Sequence, residues 1–159
     1  MKIEFRDDIS APAGFVFRRL TDFARHERQA MRRGAQVQRT DSGVEPGLGA
    51  AWEIVFDYRG KARQVRAEIT EWTPPERLRI RGVSGGLDSV TVVDIVALSK
   101  TQTRVNVVSE LSPNTLTARL LVQSLKLARG TVTARLQTRL HDLGEDIAAA
   151  WARKGRDPG

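Results

Sequence analysis

Gly82-Val83-Ser84-Gly85-Gly86 matches the G-x-S-x-G spacing that presents a serine nucleophile on a strained strand-to-helix turn. The residues that follow, Asp88, Val90, Thr91, Val92 and Val93, are strand formers, so the glycines predict a hairpin turn instead of a nucleophile elbow. Only His26 and His141 could serve such a serine as base, and both fall in Arg-rich helical stretches that read as surface. Gly47-Leu48-Gly49 opens like a dinucleotide-binding loop, but Trp52 takes the third glycine position and a strand pattern follows. With two histidines and no cysteine, thiol chemistry is excluded, and neither a metal nor a cofactor is expected.

Polar groups on apolar faces are the stronger candidates. Asp7 shares the parity of Ile3, Phe5 and Ile9, which points it inward, where an unpaired carboxylate is costly. Tyr58 closes an aromatic face begun by Trp52, Ile54 and Phe56, and its hydroxyl needs a partner. Ser109 is in line with Val105 and Val107. Asp94 interrupts a β-branched run whose two faces are both apolar, so its direction stays open. Such groups could orient the polar end of a ligand, and Asp7, Tyr58 or Asp94 would be the acid or base if catalysis occurred.

The elements that must hold these groups are legible from periodicity. Alternation marks a first strand to Ile9, and Ser10-Ala11-Pro12 reads as a helix start with Ser10 as N-cap. Two short helices, Pro12–Thr21 and Asp22–Arg33, end at Gly34, and a strand covers Ala35–Thr40. A loop runs over residues 41–49. Beyond it, Val65, Ala67 and Ile69, then Leu78 and Ile80, form inward faces between the turns Arg59-Gly60-Lys61, Thr73-Pro74-Pro75-Glu76 and Gly85-Gly86. Further strands follow to Leu111, making an antiparallel meander. From Thr115 to Trp151 one helical pattern carries Leu121, Leu125, Ala128, Val132, Leu136, Leu140, Leu143 and Ile147 as a single stripe. At 1.5 Å per residue it spans roughly 55 Å and has to cross the sheet. Gly130-Thr131-Val132-Thr133 is weak helix material and predicts a bend or a close backbone approach there. Residues 151–159 read as a loose tail.

The net charge of +7 over 159 residues is concentrated at the helical ends. Between Asn114 and His141 the basic residues Arg119, Lys126, Arg129, Arg135 and Arg139 stand without an acid, a strip suited to an anionic membrane surface or an acidic protein. Nucleic acid is not expected, because no aromatic platforms are interleaved with the basic residues. A charged N-terminus and the lack of any ~18-residue apolar run predict a cytoplasmic protein.

Three fragments carry a resemblance: Ile9-Ser10-Ala11-Pro12-Ala13-Gly14-Phe15-Val16-Phe17 with Leu20-Thr21-Asp22, Glu68-Ile69-Thr70-Glu71-Trp72-Thr73-Pro74-Pro75-Glu76-Arg77-Leu78, and Thr103-Arg104-Val105 before the long helix. Over residues 1–150 the chain resembles the START-like or SRPBCC superfamily of polyketide cyclases and lipid-transfer proteins. The resemblance implies an α+β helix-grip domain, with a curved antiparallel sheet of about six to seven strands wrapped around the C-terminal helix and two short helices after the first strand. It also implies an apolar cavity of roughly 300–1,000 Å³. Trp52, Ile54, Phe56, Tyr58, Val65, Ala67, Ile69, Leu78 and Ile80 would line one side, Leu121, Leu125, Ala128 and Val132 the other, with Asp7 and Ser109 as polar contacts. The expected function is binding of a hydrophobic or amphipathic small molecule, such as a lipid, polyketide or isoprenoid-like compound, as carrier or sensor and with no catalytic residue assigned. The alternatives are a cyclase- or dehydratase-type enzyme in the same cavity, and an adaptor that docks an acidic partner through the basic helix.

Overall fold

The early alternation becomes strand β1 (Lys2–Ile9), with Ile3 and Ile9 buried and Lys2, Glu4, Arg6 and Asp8 exposed. The computed structural model describes residues 1–41, 47–58 and 60–156. After β1 come helices α1 (Ala13–Leu20) and α2 (Phe23–Arg32) and strands β2 (Gln36–Arg39), β3 (Ala51–Tyr58), β4 (Lys61–Thr73), β5 (Arg77–Ser84), β6 (Leu87–Ala97) and β7 (Thr103–Pro113). Helices α3 (Leu116–Leu127) and α4 (Arg129–Arg156) end the chain. Among the described residues the strands form one antiparallel sheet of seven, ordered β1-β7-β6-β5-β4-β3-β2. This is the α+β helix-grip architecture the residues imply.

The strand register puts the expected apolar residues on one face. Ile54 lies opposite Val65, Trp52 opposite Ala67, and Ile69 opposite Ile80. A β-bulge between Ile69 and Glu71 then leaves Thr70 without a register partner and returns Trp72 to that face, opposite Leu78. Two buried clusters result. One gathers Ile9, Val16, Phe17, Val105, Leu140 and Ile147, the other Ala50, Trp52, Ile69 and Leu78, and Trp72 packs against both.

Three local expectations need correction. Ser10 does not cap α1, which begins after extended Pro12, too late in the chain for Ser10 to reach it. Its hydroxyl instead accepts from Gln102 Nε2 at 3.0 Å. Asp22 does cap α2, accepting from Arg25 N at 3.3 Å. The long helix is broken at Ala128 (φ −101°, ψ 15°), where its N–H turns back to Ser124 and Lys126 and closes α3. Gly130 falls in the first turn of α4 with open space around it, so it marks no close approach. The close approach is at Gly144, where an added Cβ would lie 3.0 Å from Ile9 Cγ1. Helix α4 also runs past Trp151 to Arg156, with Trp151 stacked 5.1 Å from Phe15. Residues 42–46 of the expected loop, Arg59 of the expected turn and residues 157–159 of the expected tail lie outside the described residues.

Helix α4 sits mainly against the edge strand. Gln137 accepts from Arg6 N at 3.2 Å and donates to Arg6 O, and Arg129 Nη2 donates to Lys2 O at 3.0 Å. These bonds occupy backbone groups that an open sheet edge would leave to water or to another strand. With α4 drawn to the β1 side, the face over β3 and β4 is only half covered.

Candidate functional site

The residues expected to line a cavity divide among three environments. Trp52, Ile69 and Leu78 are core: Ile69 is 0% exposed, and Trp52 stacks 4.8 Å from Phe23 while its Nε1 donates to Glu27 at 2.6 Å. Ile80 packs half-buried against the same cluster, and Ala67 lies beside Trp52 in the sheet. Phe56, Tyr58, Val65 and Leu121 come together with Leu87 around an open cleft of about 650 Å³, where the β3–β4 and β5–β6 hairpins reach α3. Ile54 and the other side of Phe56 line a second open cleft, of about 950 Å³, between α2, β3 and α4. Phe56 therefore stands between the two spaces.

On the helical side the expected stripe is only half right. Leu125 and Val132 are half-buried, but Leu121 is 41% exposed and turns its flank to the cleft, and Ala128 is exposed at the helix break. Helix α3 buries Ala118 and Val122 instead, because the break at Ala128 releases it from the register of α4.

The polar candidates also separate. Asp7 faces α4 but is not an isolated buried charge: His141 Nδ1 donates to its Oδ2 at 2.8 Å. Asp94 lies on the outer face and pairs with Arg77 at 2.7 Å, a bond that holds the guanidinium pKa above its usual value and removes Asp94 from any inner chemistry. Ser109 shares a hydrogen bond of 2.7 Å with Thr91, its register partner on β6. The two form a small hydroxyl patch on the apolar face, and Thr91 was hidden in a run with no polar alternation. Ser84 ends β5 and donates to Gln64 O at 2.8 Å, while Gly85 and Gly86 (φ 52° and 74°) turn directly into β6. That is a hairpin. No helix follows to make a nucleophile elbow.

His26 carries more chemistry than its Arg-rich surroundings suggest. It lines the larger cleft half-buried, and its Nε2 sits 2.9 Å from Leu20 O. A carbonyl only accepts, so Nε2 bears the hydrogen and the neutral ring keeps Nδ1 as an acceptor. Arg139, Asp142 and Leu143 of α4 share that cleft. Among the described residues no group of three or more histidine, cysteine or carboxylate side chains is placed to hold a metal.

The Asp7–His141 pair gives a direct prediction. The hydrogen bond to Asp7 and its charge, with Glu145 and Asp142 adding to them, raise the His141 pKa above the usual 6.5. A raised folded-state pKa stabilises the fold fully below about pH 6.5, and the contribution is lost as pH rises through the raised value. Proton NMR titration of His141 should give a midpoint above 6.5 that falls back toward it in Asp7→Asn. A wild-type midpoint at or below 6.5 would contradict the pairing.

A seven-stranded antiparallel sheet, half gripped by its C-terminal helices and hollowed on its apolar face, defines a helix-grip protein. The chain belongs to the family described as polyketide cyclase / dehydrase and lipid transport, whose model matches residues 1–148. No curated protein matches it in sequence. Among solved structures it is similar to a protein from Thermus thermophilus, at 18% identity and TM-score 0.69 over 94% of this chain and 99% of that one. It is also similar to norcoclaurine synthase from Thalictrum flavum, at 12% identity and TM-score 0.67 over 92% of each chain. The Zhui aromatase/cyclase from Streptomyces sp. R1128 matches at 11% identity and TM-score 0.67, over 92% of this chain and 93% of that one. At these identities the likenesses carry the fold. No helix among the described residues is long and apolar enough to cross a membrane.

Proposed function

We propose that the chain binds a hydrophobic or amphipathic small molecule on the apolar face of its sheet and acts as a carrier or sensor. The observation that carries this reading is the exposure of the inner face. Phe56, Val65, Leu87 and Leu121 surround about 650 Å³ of open space, within the range of small-molecule sites. Tyr58, Gln64 and Ser84 supply a few polar contacts against a mostly apolar wall. Burial of the guest's apolar surface provides the affinity, at roughly 25 cal/mol per Å².

Cyclase- or dehydratase-type chemistry on the same apolar face is the second reading, and the position of His26 in the larger, neighbouring cleft favours it. Of the three acids or bases considered from sequence, Asp94 faces outward, Asp7 is held by His141 and Tyr58 lines the smaller cleft, while His26 adds an imidazole at the larger one.

Native mass spectrometry of freshly purified protein should show an added mass, and the stripped chain should bind a fluorescent fatty acid. Val65→Trp, which fills the smaller cleft, should weaken that binding by tenfold or more, on the order of the apolar area it displaces, with an unchanged circular dichroism spectrum. Absence of both the added mass and probe binding in the wild type, or equal binding by Val65→Trp, would reject the reading.

A further inference from the structure

Helix α3 buries one face and shows leucine on the opposite one. At about 100° per residue, Leu116, Leu120 and Leu127 fall within an arc of about 40°, facing away from buried Ala118 and Val122. They are 73%, 62% and 92% exposed. A single exposed leucine is ordinary, but an aligned row on a helix that already has a core face is a surface without its partner. Arg119 and Lys126 run along one side of the row, and no acid occurs on the helix or anywhere from Asn114 to His141. Asp88 touches only the approach to the helix, where Asn114 Nδ2 donates to it at 3.0 Å.

We propose that α3 docks on an anionic lipid surface, with Leu116, Leu120 and Leu127 entering the acyl boundary and Arg119 and Lys126 meeting lipid phosphates. Twelve residues make a rod of about 18 Å, suited to lying in the interface and too short to span a bilayer. Charge complementarity selects this occupant. A second copy packed symmetrically on the row would bring Arg119 and Lys126 against their own counterparts, and an acidic protein surface would satisfy the cations but not an aligned leucine row. Leu121, on the flank of the same helix, lines the 650 Å³ cleft, so docking brings the rim of that cleft to the lipid. Docking itself does not depend on the cleft holding a guest.

Co-sedimentation of the full chain with vesicles tests the proposal, comparing phosphatidylcholine alone with phosphatidylcholine and phosphatidylglycerol at about 3:1. Binding is expected only with the anionic lipid, and it should fall steeply between about 0.05 and 0.5 M salt. Leu120→Glu and Leu127→Glu should each weaken it on the order of tenfold, while melting temperatures stay close to that of the wild type because both side chains are already exposed. Wild type that binds neither vesicle, or variants that bind as well as wild type, would overturn it. So would a concentration-dependent dimer in light scattering that Leu127→Glu dissolves, since the row would then be covered by a second copy. The vesicles carry no cleft ligand, so failure here leaves the small-molecule reading standing, and an empty cleft leaves docking standing.

Discussion

Trp72→Ala is expected to destabilise the protein by about 3–5 kcal/mol, the range for removing a large aromatic side chain from a core. Trp72 follows the β4 bulge and, with Val93, packs against both buried clusters, as the larger of the two. Its ring stands 5.1 Å from that of Phe17 in an edge-on arrangement of 67°, which ties α1 to the sheet. At roughly 2–4 °C per kcal/mol for a chain of this size, scanning calorimetry should show the melting temperature lowered by about 6–20 °C. Phe17→Ala should be comparably severe, and the double variant should lose less than the sum, because the two rings share one contact. A loss below about 1 kcal/mol for Trp72→Ala would mean that each cluster holds without the other.

The same residue shows what sequence reasoning could and could not reach. Strict alternation through Val65, Ala67 and Ile69 puts Glu71 inside and Trp72 outside. One unpaired residue at Thr70 reverses that parity, and nothing local to the chain announces it. The terminal helix failed for a related reason. Leu121, Leu125 and Val132 can be drawn as one stripe only if the helix runs straight through Ala128, and a one-residue break changes which face meets the sheet. Helix α3 is rich enough in leucine that several faces look apolar, and the face that became buried holds the smaller Ala118 and Val122. The aligned leucines on the opposite side were present in the sequence all along, overshadowed by the larger stripe. The antiparallel meander, the two early helices and the Gly85-Gly86 hairpin, by contrast, follow from local periodicity and turn residues, whereas the pairing of β1 with β7 joins the two ends of the sheet's sequence and no local pattern announces it.

The site divides along the same physical line. Phe56, Tyr58 and Val65 were readable because β3 and the first half of β4 alternate apolar with polar residues, so parity alone sets their direction. Thr91 and Asp94 sit in a strand apolar on both faces, where direction comes only from the register with β5 and β7. His26 and His141 each depend on a long-range or carbonyl partner, Leu20 O and Asp7, that no spacing rule connects to an imidazole. Parity points Asp7 inward, but the imidazole that meets it lies 134 positions away in the chain.

Gly86→Ala should produce the second large effect, and through a different mechanism. Gly86 holds φ at 74°, and an added Cβ would fall within 3.0 Å of Thr115 Oγ1, Cγ2 and Cβ. The positive φ alone disfavours alanine by about 1–2 kcal/mol. Thr115 is also the N-cap of α3, accepting from Ala118 N at 3.1 Å, so a methyl group that displaces its side chain removes a cap worth about 1 kcal/mol. Asn114 N donates to Gly86 O at 2.7 Å, which makes the hairpin turn the anchor from which α3 starts. A total loss of about 2–4 kcal/mol is expected in urea denaturation. Thr115→Ala alone should lose only the cap, and in the double variant the two closest contacts, to Oγ1 and Cγ2, are gone and only the one to Cβ remains, so the two losses should fall short of additivity by about 1 kcal/mol. Because Gly85 and Leu121 line the same cleft at the two ends of this junction, Gly86→Ala should also weaken fatty-acid binding more than its stability loss alone explains. Strict additivity of the two substitutions would show that turn and helix do not touch in solution, and that the cleft rim is not built on their contact.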